Sequence, residues 1–463
     1  MHFSIVPGDD ILSELGGIIF SWGFLQFIVA FLSFFGFVLT SAMILVLAER
    51  KIMAWMQDRL GPIHTGPWGL LQTVADVVKL LLKEDIHATQ TDKALFLFAP
   101  SVFLAPIIAA FAVIPLSPYV GLPGVVLATG IVYYVAMSSI DVIGVIMAGW
   151  GSNNKYALMG GMRSAAQMIS YELPLVLALV GVIMLTSVLA GTPGSGYPGN
   201  VGIGTIAIRD IQDFQNVWRP TGIGILDFFF QGFTPWAWFF LIQPLMLVIY
   251  YVCGLAETNR APFDLPEAES ELVAGYLTEY SGMRWAMFFL GEYGNMTIVS
   301  AITTYLFLGG WSGPGVSYLL GLNSPGWGLL GNLLAVAYFI TKVYLLCFVF
   351  IWVRSTLPRL RADQLMQFAW LILIPVTLVN ILLTGLIYLV VSSLGLGNLT
   401  NFVFLTVTAS FNWVMLFAFI WIVGRATTAT TRRAQAPSIR AQRMESPAPQ
   451  LPERAGVAGG GGQ

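Results

Sequence analysis

The chain has 463 residues, of which 57% are hydrophobic and only 10% charged, with a formal net charge of -2 and a mean hydropathy of +0.77. A soluble domain carries about 25% charged residues, so this composition excludes a water-borne protein. Two cysteines and three histidines form no CxxC, paired-histidine or cysteine-cluster pattern. They are too few to hold an iron–sulfur cluster or a zinc site, and no Gly-rich phosphate loop follows a strand.

A membrane helix needs about 20 predominantly apolar residues. Runs of that kind cover 17–48, 94–116, 122–149, 164–189, 236–256, 285–308, 327–353, 369–393 and 401–423. The fold expected is all-α: a polytopic membrane protein of about nine transmembrane helices plus a cytosol-side amphipathic helix. The first run exceeds a perpendicular span, which suggests tilt. It follows Asp9, Asp10 and Glu14 with no Lys or Arg. A signal peptide has a positive leading region, so the first helix is expected to be retained with its N-terminus outside.

That orientation puts segments 49–93, 151–163, 257–284 and 354–368 and the tail on the cytosolic side. All but three of the 22 basic residues (Arg209, Arg219 and Lys342) then face the cytosol, as the positive-inside rule requires. Residues 1–424 are read as a transmembrane domain with cytosolic loops 49–93 and 257–284, and residues 425–463, rich in Arg, Ala, Pro and Gly, as a disordered tail.

Within the first loop, Gln72, Asp76, Lys79 and Lys83 recur at helical spacing. Leu70, Leu71, Val74, Val77, Val78 and Leu81 lie mostly away from them. The pattern predicts an amphipathic helix over 68–84, lying at the interface or on a partner. The stretch 191–235 is Gly- and Pro-rich and reads as a surface insertion.

Four ionisable residues fall inside the runs: Asp141, Glu172, Glu292 and Lys342. Each costs on the order of 2.5–3.5 kcal/mol or more at the bilayer centre. Local pairing, or an interfacial position for Glu292 near its helix start, would account for them structurally; a charge relay would account for them functionally. The loop 257–271 sets Glu257, Asp264, Glu267, Glu269 and Glu271 against Arg260 alone. Asp264 and Glu267 fit a capping box. With Glu172 and Glu257, the acids could instead form a proton path from loop to membrane interior.

Five strings make a more specific pattern: AERKIMAWMQDRLGP at 48–62, LQTVADVVKLLLKED at 71–85, AGWGSNNKYALMGGMRSAAQMISYE at 148–172, AETNRAPFDLPEAESELVAGY at 256–276 and WVRSTLPRLRADQLM at 352–366. In this order they resemble the quinone-chamber membrane subunit of respiratory complex I, the family of NADH-quinone oxidoreductase H subunits, over about residues 20 to 390. The resemblance implies a quinone tunnel opening to lipid between the first span and the amphipathic helix, at positions matching Arg50, Arg59, Asp76, Lys79 and Arg260. It implies an acidic path matching Glu172, Glu257, Glu267, Glu269, Glu271, Glu292 and Asp141, and it places Lys342 at a lysine of a family helix. Many members carry lysine after the tryptophan following DQLM; here Trp370 is followed by Leu371.

The function implied is a translocase subunit of a bacterial plasma membrane, with quinone as substrate. Flavin and iron–sulfur clusters would sit in partner subunits: a hydrophilic arm on the cytosolic side, with small and antiporter-like subunits in the membrane. Nucleic acid is not an expected partner. The alternatives are the related membrane subunit of an energy-converting hydrogenase, or an ion transporter acting alone.

Overall fold

The computed structural model describes residues 22–86, 88–118, 127–190, 206–215, 238–265, 273–321, 325–395 and 400–444. Among these residues there is helix and turn but no strand. An apolar chain in lipid must satisfy its backbone internally, which helices do segment by segment.

Helix α1 spans Trp22–Met56, α2 Gln72–Leu82, α3 Lys93–Ala110, α4 Gly130–Gly151 and α5 Lys155–Ala190. Helix α6 spans Ile208–Gln215, α7 Phe239–Ile242, α8 Pro244–Glu257 and α9 Gly282–Phe307. Helix α10 spans Val316–Gly321, α11 Pro325–Thr356, α12 Ala362–Gln367, α13 Ile374–Ser393 and α14 Thr400–Met444. A π-helical segment, Phe368–Leu373, joins α12 to α13.

All nine apolar runs fall on helix within the described residues. By length and composition, six helical stretches there can cross a membrane: Lys93–Val113, Gly130–Gly151, Lys155–Ser187, Trp327–Thr356, Ala362–Ser393 and Phe402–Arg425. The count of about nine is not reached by this measure, and two runs show why. The run 236–256 is broken at Gln243 (φ -129, ψ 61), which leaves α8 only 14 residues. Helix α9 carries Arg284, Glu292, Asn295 and a series of Thr and Ser.

Those polar residues are tolerated because α9 is enclosed. Every residue from Gly291 to Phe307 is buried. Thr297, Ser300, Thr303 and Thr304 each donate to the carbonyl four residues earlier, so no hydroxyl there lacks an acceptor. Small residues let the helices around it approach closely, as in membrane bundles. A Cβ added at Gly144 of α4 would lie 2.7 Å from the Phe103 backbone nitrogen of α3.

Helix α2 is shorter than the stretch 68–84 and sits with Asp76 turned inward, paired to Arg50 at 2.5 Å. The Gly- and Pro-rich stretch read as a surface insertion holds a correction. Its described part, α6, buries Ile208, Ile211, Gln212, Phe214 and Gln215, the i, i+3, i+4, i+7 spacing of a docked amphipathic helix. Near the other end of the chain, Asn380 donates to Asn412 at 2.6 Å, and both are buried.

The chain divides into two units, Met1–Asn412 and Trp413–Gln463. In the second, helix continues through Met444, with the Arg425 guanidinium 4.0 Å from the Trp421 ring centre. The boundary read at 424/425 therefore lies inside a helix. Alanine, arginine and glutamine extend an existing helix readily because no new nucleus is needed.

Candidate functional site

Between α1, α2 and the first half of α9 lies a cavity of about 480 Å³. Its body is apolar: Met43 and Val46 from α1, Val77 and Leu80 from α2, Trp285 and Phe289 from α9. Its polar lining is Glu49, Arg50, Thr73, Asp76, Arg260, Tyr293 and Arg354.

Glu49 is the centre of that polar lining. It accepts from Arg354 of α11, from the Tyr293 hydroxyl at 2.7 Å, and it faces Arg260 at 3.5 Å. Arg260 also reaches Glu292 at 3.4 Å, and its guanidinium lies 4.2 Å from the Tyr293 ring centre. The Tyr276 hydroxyl donates to Glu292 at 3.4 Å. Glu49, Arg260 and Glu292 are each at most 4% exposed. Alternating signs let two acids and two arginines share one low-dielectric place, because each buried charge meets an opposite one.

The second cluster starts one turn further along α9. Asn295 and Ser138 hydrogen-bond Glu257, the last residue of α8. Asp141, completely buried in α4, lies within electrostatic reach of Glu257 and Glu172. Neither Asp141 oxygen has a hydrogen-bond partner. Glu172 of α5 accepts from Ser139. The hydroxyls of Tyr134 and Tyr250 meet at 3.1 Å, with Tyr134 in reach of both Glu257 and Asp141.

Of the residues singled out from the sequence, Arg50, Asp76 and Arg260 line the cavity. Lys79 does not: it borders a separate open groove with Val78, Leu82 and Lys83. Arg59 is exposed and donates to Gln57 at 2.7 Å. Glu292 is buried rather than interfacial, and Glu172, Glu257 and Asp141 come together as above. Asp264 accepts from Arg359 at 2.9 Å; its capping partner Glu267, with Glu269 and Glu271, lies outside the described residues. Sequence reasoning passed over Tyr293, Arg354, Asn295 and the Ser138–Ser139 pair. Only the charge of Glu49, unmatched by an ordinary basic flank, and the place of Arg354 in a shared string hinted at two members of the cluster. Among the described residues, no group of three or more His, Cys, Asp or Glu could hold a metal ion.

Long apolar helices enclosing an alternating charge cluster beside an apolar cavity define a polytopic membrane protein built to handle charge in its interior. A family model described as NADH dehydrogenase matches residues 29–385, and the chain belongs to that family. It is similar to the first of two numbered H subunits of NADH-quinone oxidoreductase, that of Geobacter sulfurreducens, 42% identical over 382 residues, covering 79% of this chain and 95% of the relative. The corresponding NADH-quinone oxidoreductase protein of Brevibacillus brevis is 44% identical over 373 residues, covering 79% and 95%. That of Dehalococcoides mccartyi strain CBDB1 is 41% identical over 390 residues, covering 84% and 94%.

Proposed function

We propose that this chain is the membrane subunit of a proton-translocating NADH:quinone oxidoreductase that encloses the quinone head group and passes the effect of its reduction into the membrane. The observation that carries the reading is the apolar cavity lined at one side by Glu49, Arg260 and Tyr293. An isoprenoid tail suits its aliphatic and aromatic body, and the polar side offers donors to quinone oxygens. A small-molecule site is expected to combine an apolar wall with a few convergent polar groups.

Reduction of a quinone calls for two electrons and two protons. In this reading electrons arrive from flavin and iron–sulfur clusters in a hydrophilic arm docked on the cytosolic side, and the chain itself holds the protons' route. A change of charge in the cavity shifts the balance at Glu49, Arg260 and Glu292. Asn295 links Glu292's helix to Glu257, and Glu257 acts on Asp141 and Glu172. Carboxyl groups kept inside a membrane are by default parts of a proton or ion path. Glu267, Glu269 and Glu271 would feed the path from the loop, and small and antiporter-like membrane subunits would receive its output. Arg50 and Asp76 border the cavity beside α2, while Arg59 and Lys79 fit the loop's docking to partners better than contact with quinone. The chain would sit in a bacterial plasma membrane with its N-terminus outside and its C-terminal tail in the cytoplasm.

The test is a photoreactive quinone analogue applied to the purified assembly, together with Glu257→Gln. Label within 39–53, 72–82 or 283–293 and loss of proton pumping are expected. Label absent from this chain would favour a hydrogenase-type subunit that works without quinone. A Glu257→Gln assembly that pumps and reduces quinone fully would overturn the coupling role. Ion movement by the purified chain alone in liposomes would favour an autonomous transporter.

A further inference from the structure

The quinone and coupling reading makes no use of Lys342, yet this lysine is held by more contacts than any surface role needs. Its ammonium donates to three backbone carbonyls: Leu308 at 2.8 Å, Gly310 at 2.9 Å and Ser312 at 2.8 Å. On another side it lies 4.4 Å from the Trp238 ring centre. An ammonium has three donors and no acceptor, and here each donor has a carbonyl. An amine with two hydrogens would leave one of the three carbonyls without a donor.

These carbonyls follow the C-terminus of α9, where a helix leaves its last acceptors unsatisfied and carries partial negative charge. Gly309 (φ +68) and Gly310 (φ +58) turn the chain so that the carbonyls converge. Gln215 of α6 completes the cap: its amide donates to Tyr305 at 2.9 Å and Leu306 at 3.2 Å, while its carbonyl accepts from the Gly309 nitrogen at 3.1 Å. The packing leaves no slack, since a Cβ at Gly310 would meet Gln212 at 2.7 Å and one at Gly313 would meet Tyr338 at 2.3 Å. This plug stands at the opposite end of α9 from Glu292, roughly 24 Å along the helix axis.

Converging carbonyls and an aromatic face are the elements from which proteins build sites for monovalent cations. We propose that Lys342 is a tethered cation occupying such a cage, and that it thereby closes the far end of the acid-bearing core to hydronium and metal cations. The proposal rests on the coupling reading in one respect: a barrier is needed only where a carboxylate path enters the membrane. Lys342→Met would leave three buried carbonyls without donors and remove the repelling charge. Water and hydronium would then enter the cage.

The experiment uses the whole assembly in proteoliposomes, without substrate, and follows decay of an imposed pH gradient. Because no turnover occurs, the result is independent of whether Glu257 takes part in pumping. Lys342→Met is expected to speed the decay about threefold or more, and Lys342→Arg, which retains a fixed cation, to hold the gradient. Decay in Lys342→Met at the parental rate, or decay in Lys342→Arg as fast as in Lys342→Met, would overturn the proposal. If Lys342→Met does not assemble, Trp238→Leu carries the test, since it removes the ring but keeps the lysine and carbonyls. A measurable leak supports the cage, and an unchanged rate sinks it.

Discussion

Glu49 and Arg354, 305 positions apart in the chain, form a buried ion pair beside the cavity. The pair ties the cytosol-side end of α1 to that of α11, and Arg260 approaches the same carboxylate from the loop after α8. Removing one member of a buried charge group leaves its partners uncompensated, at a cost of about 3–5 kcal/mol. Glu49→Gln keeps the shape but faces two arginines with a neutral amide. Quinone reduction by the assembly is expected to fall at least about tenfold, equivalent to about 1.4 kcal/mol in the barrier. Arg354→Ala should do more harm, lowering the amount of assembled complex on a native gel. Wild-type activity in Glu49→Gln would remove the cluster from the quinone reading.

Asn295 is the one described side chain that connects the two clusters through α9. It stands one turn from Glu292, on the same face, and hydrogen-bonds Glu257. Asn295→Leu should therefore separate two activities that fail together when the cavity is damaged. Protons moved per electron should drop to about half or less, while quinone reduction stays within roughly threefold, less than 1 kcal/mol of barrier. The readout is the ratio of gradient formation to NADH oxidation. A proportional loss of both would place Asn295 in the quinone site instead.

What could be read along the chain, and what could not, follows from the distance over which each signal acts. Helix positions depend on local hydropathy, so all nine runs were legible. The break at Gln243 and the polarity of α9 obey tertiary packing, because α9 tolerates Glu292, Asn295 and its hydroxyls only when enclosed on all sides. Asp141, Glu172, Glu292 and Lys342 announced themselves by the cost of charge in an apolar run. Glu49, Tyr293 and Arg354 did not, because a charge at a cytosolic helix end and a tyrosine in a span are both ordinary until folding brings them together. The burial of α6 was visible as apolar spacing over 208–215 but was masked by the glycines and prolines on either side.

The contact between α3 and α4 gives a prediction about stability alone. Gly144 lies against the backbone of Phe103, and an added Cβ would come within 2.8 Å of its Cα. Backbone, unlike a long side chain, has little freedom to move aside. Gly144→Ala is expected to push the helices apart at a cost of about 1–3 kcal/mol. A lower unfolding temperature of the detergent-solubilised assembly would report it, with quinone affinity unchanged. If the temperature stays the same, the two helices are less tightly apposed than this geometry requires.

The buried asparagine pair invites a double-mutant cycle. Asn380 donates to Asn412, and Asn412 donates onward to the Thr408 carbonyl at 2.9 Å. In a membrane the apolar surroundings supply little drive for helix association, so interhelical hydrogen bonds do part of that work. Their measured strength is modest, about 0.6 kcal/mol and up to ~1.7 kcal/mol, because the separated helices also find partners. Asn380→Leu and Asn412→Leu singly each leave an amide without its partner, and both should destabilise. The double variant replaces the pair with apolar contact and should lose less than the sum of the two, since no orphaned amide remains. Additive losses would mean that the two side chains act independently and that the bond between them contributes nothing to holding α13 against the start of α14.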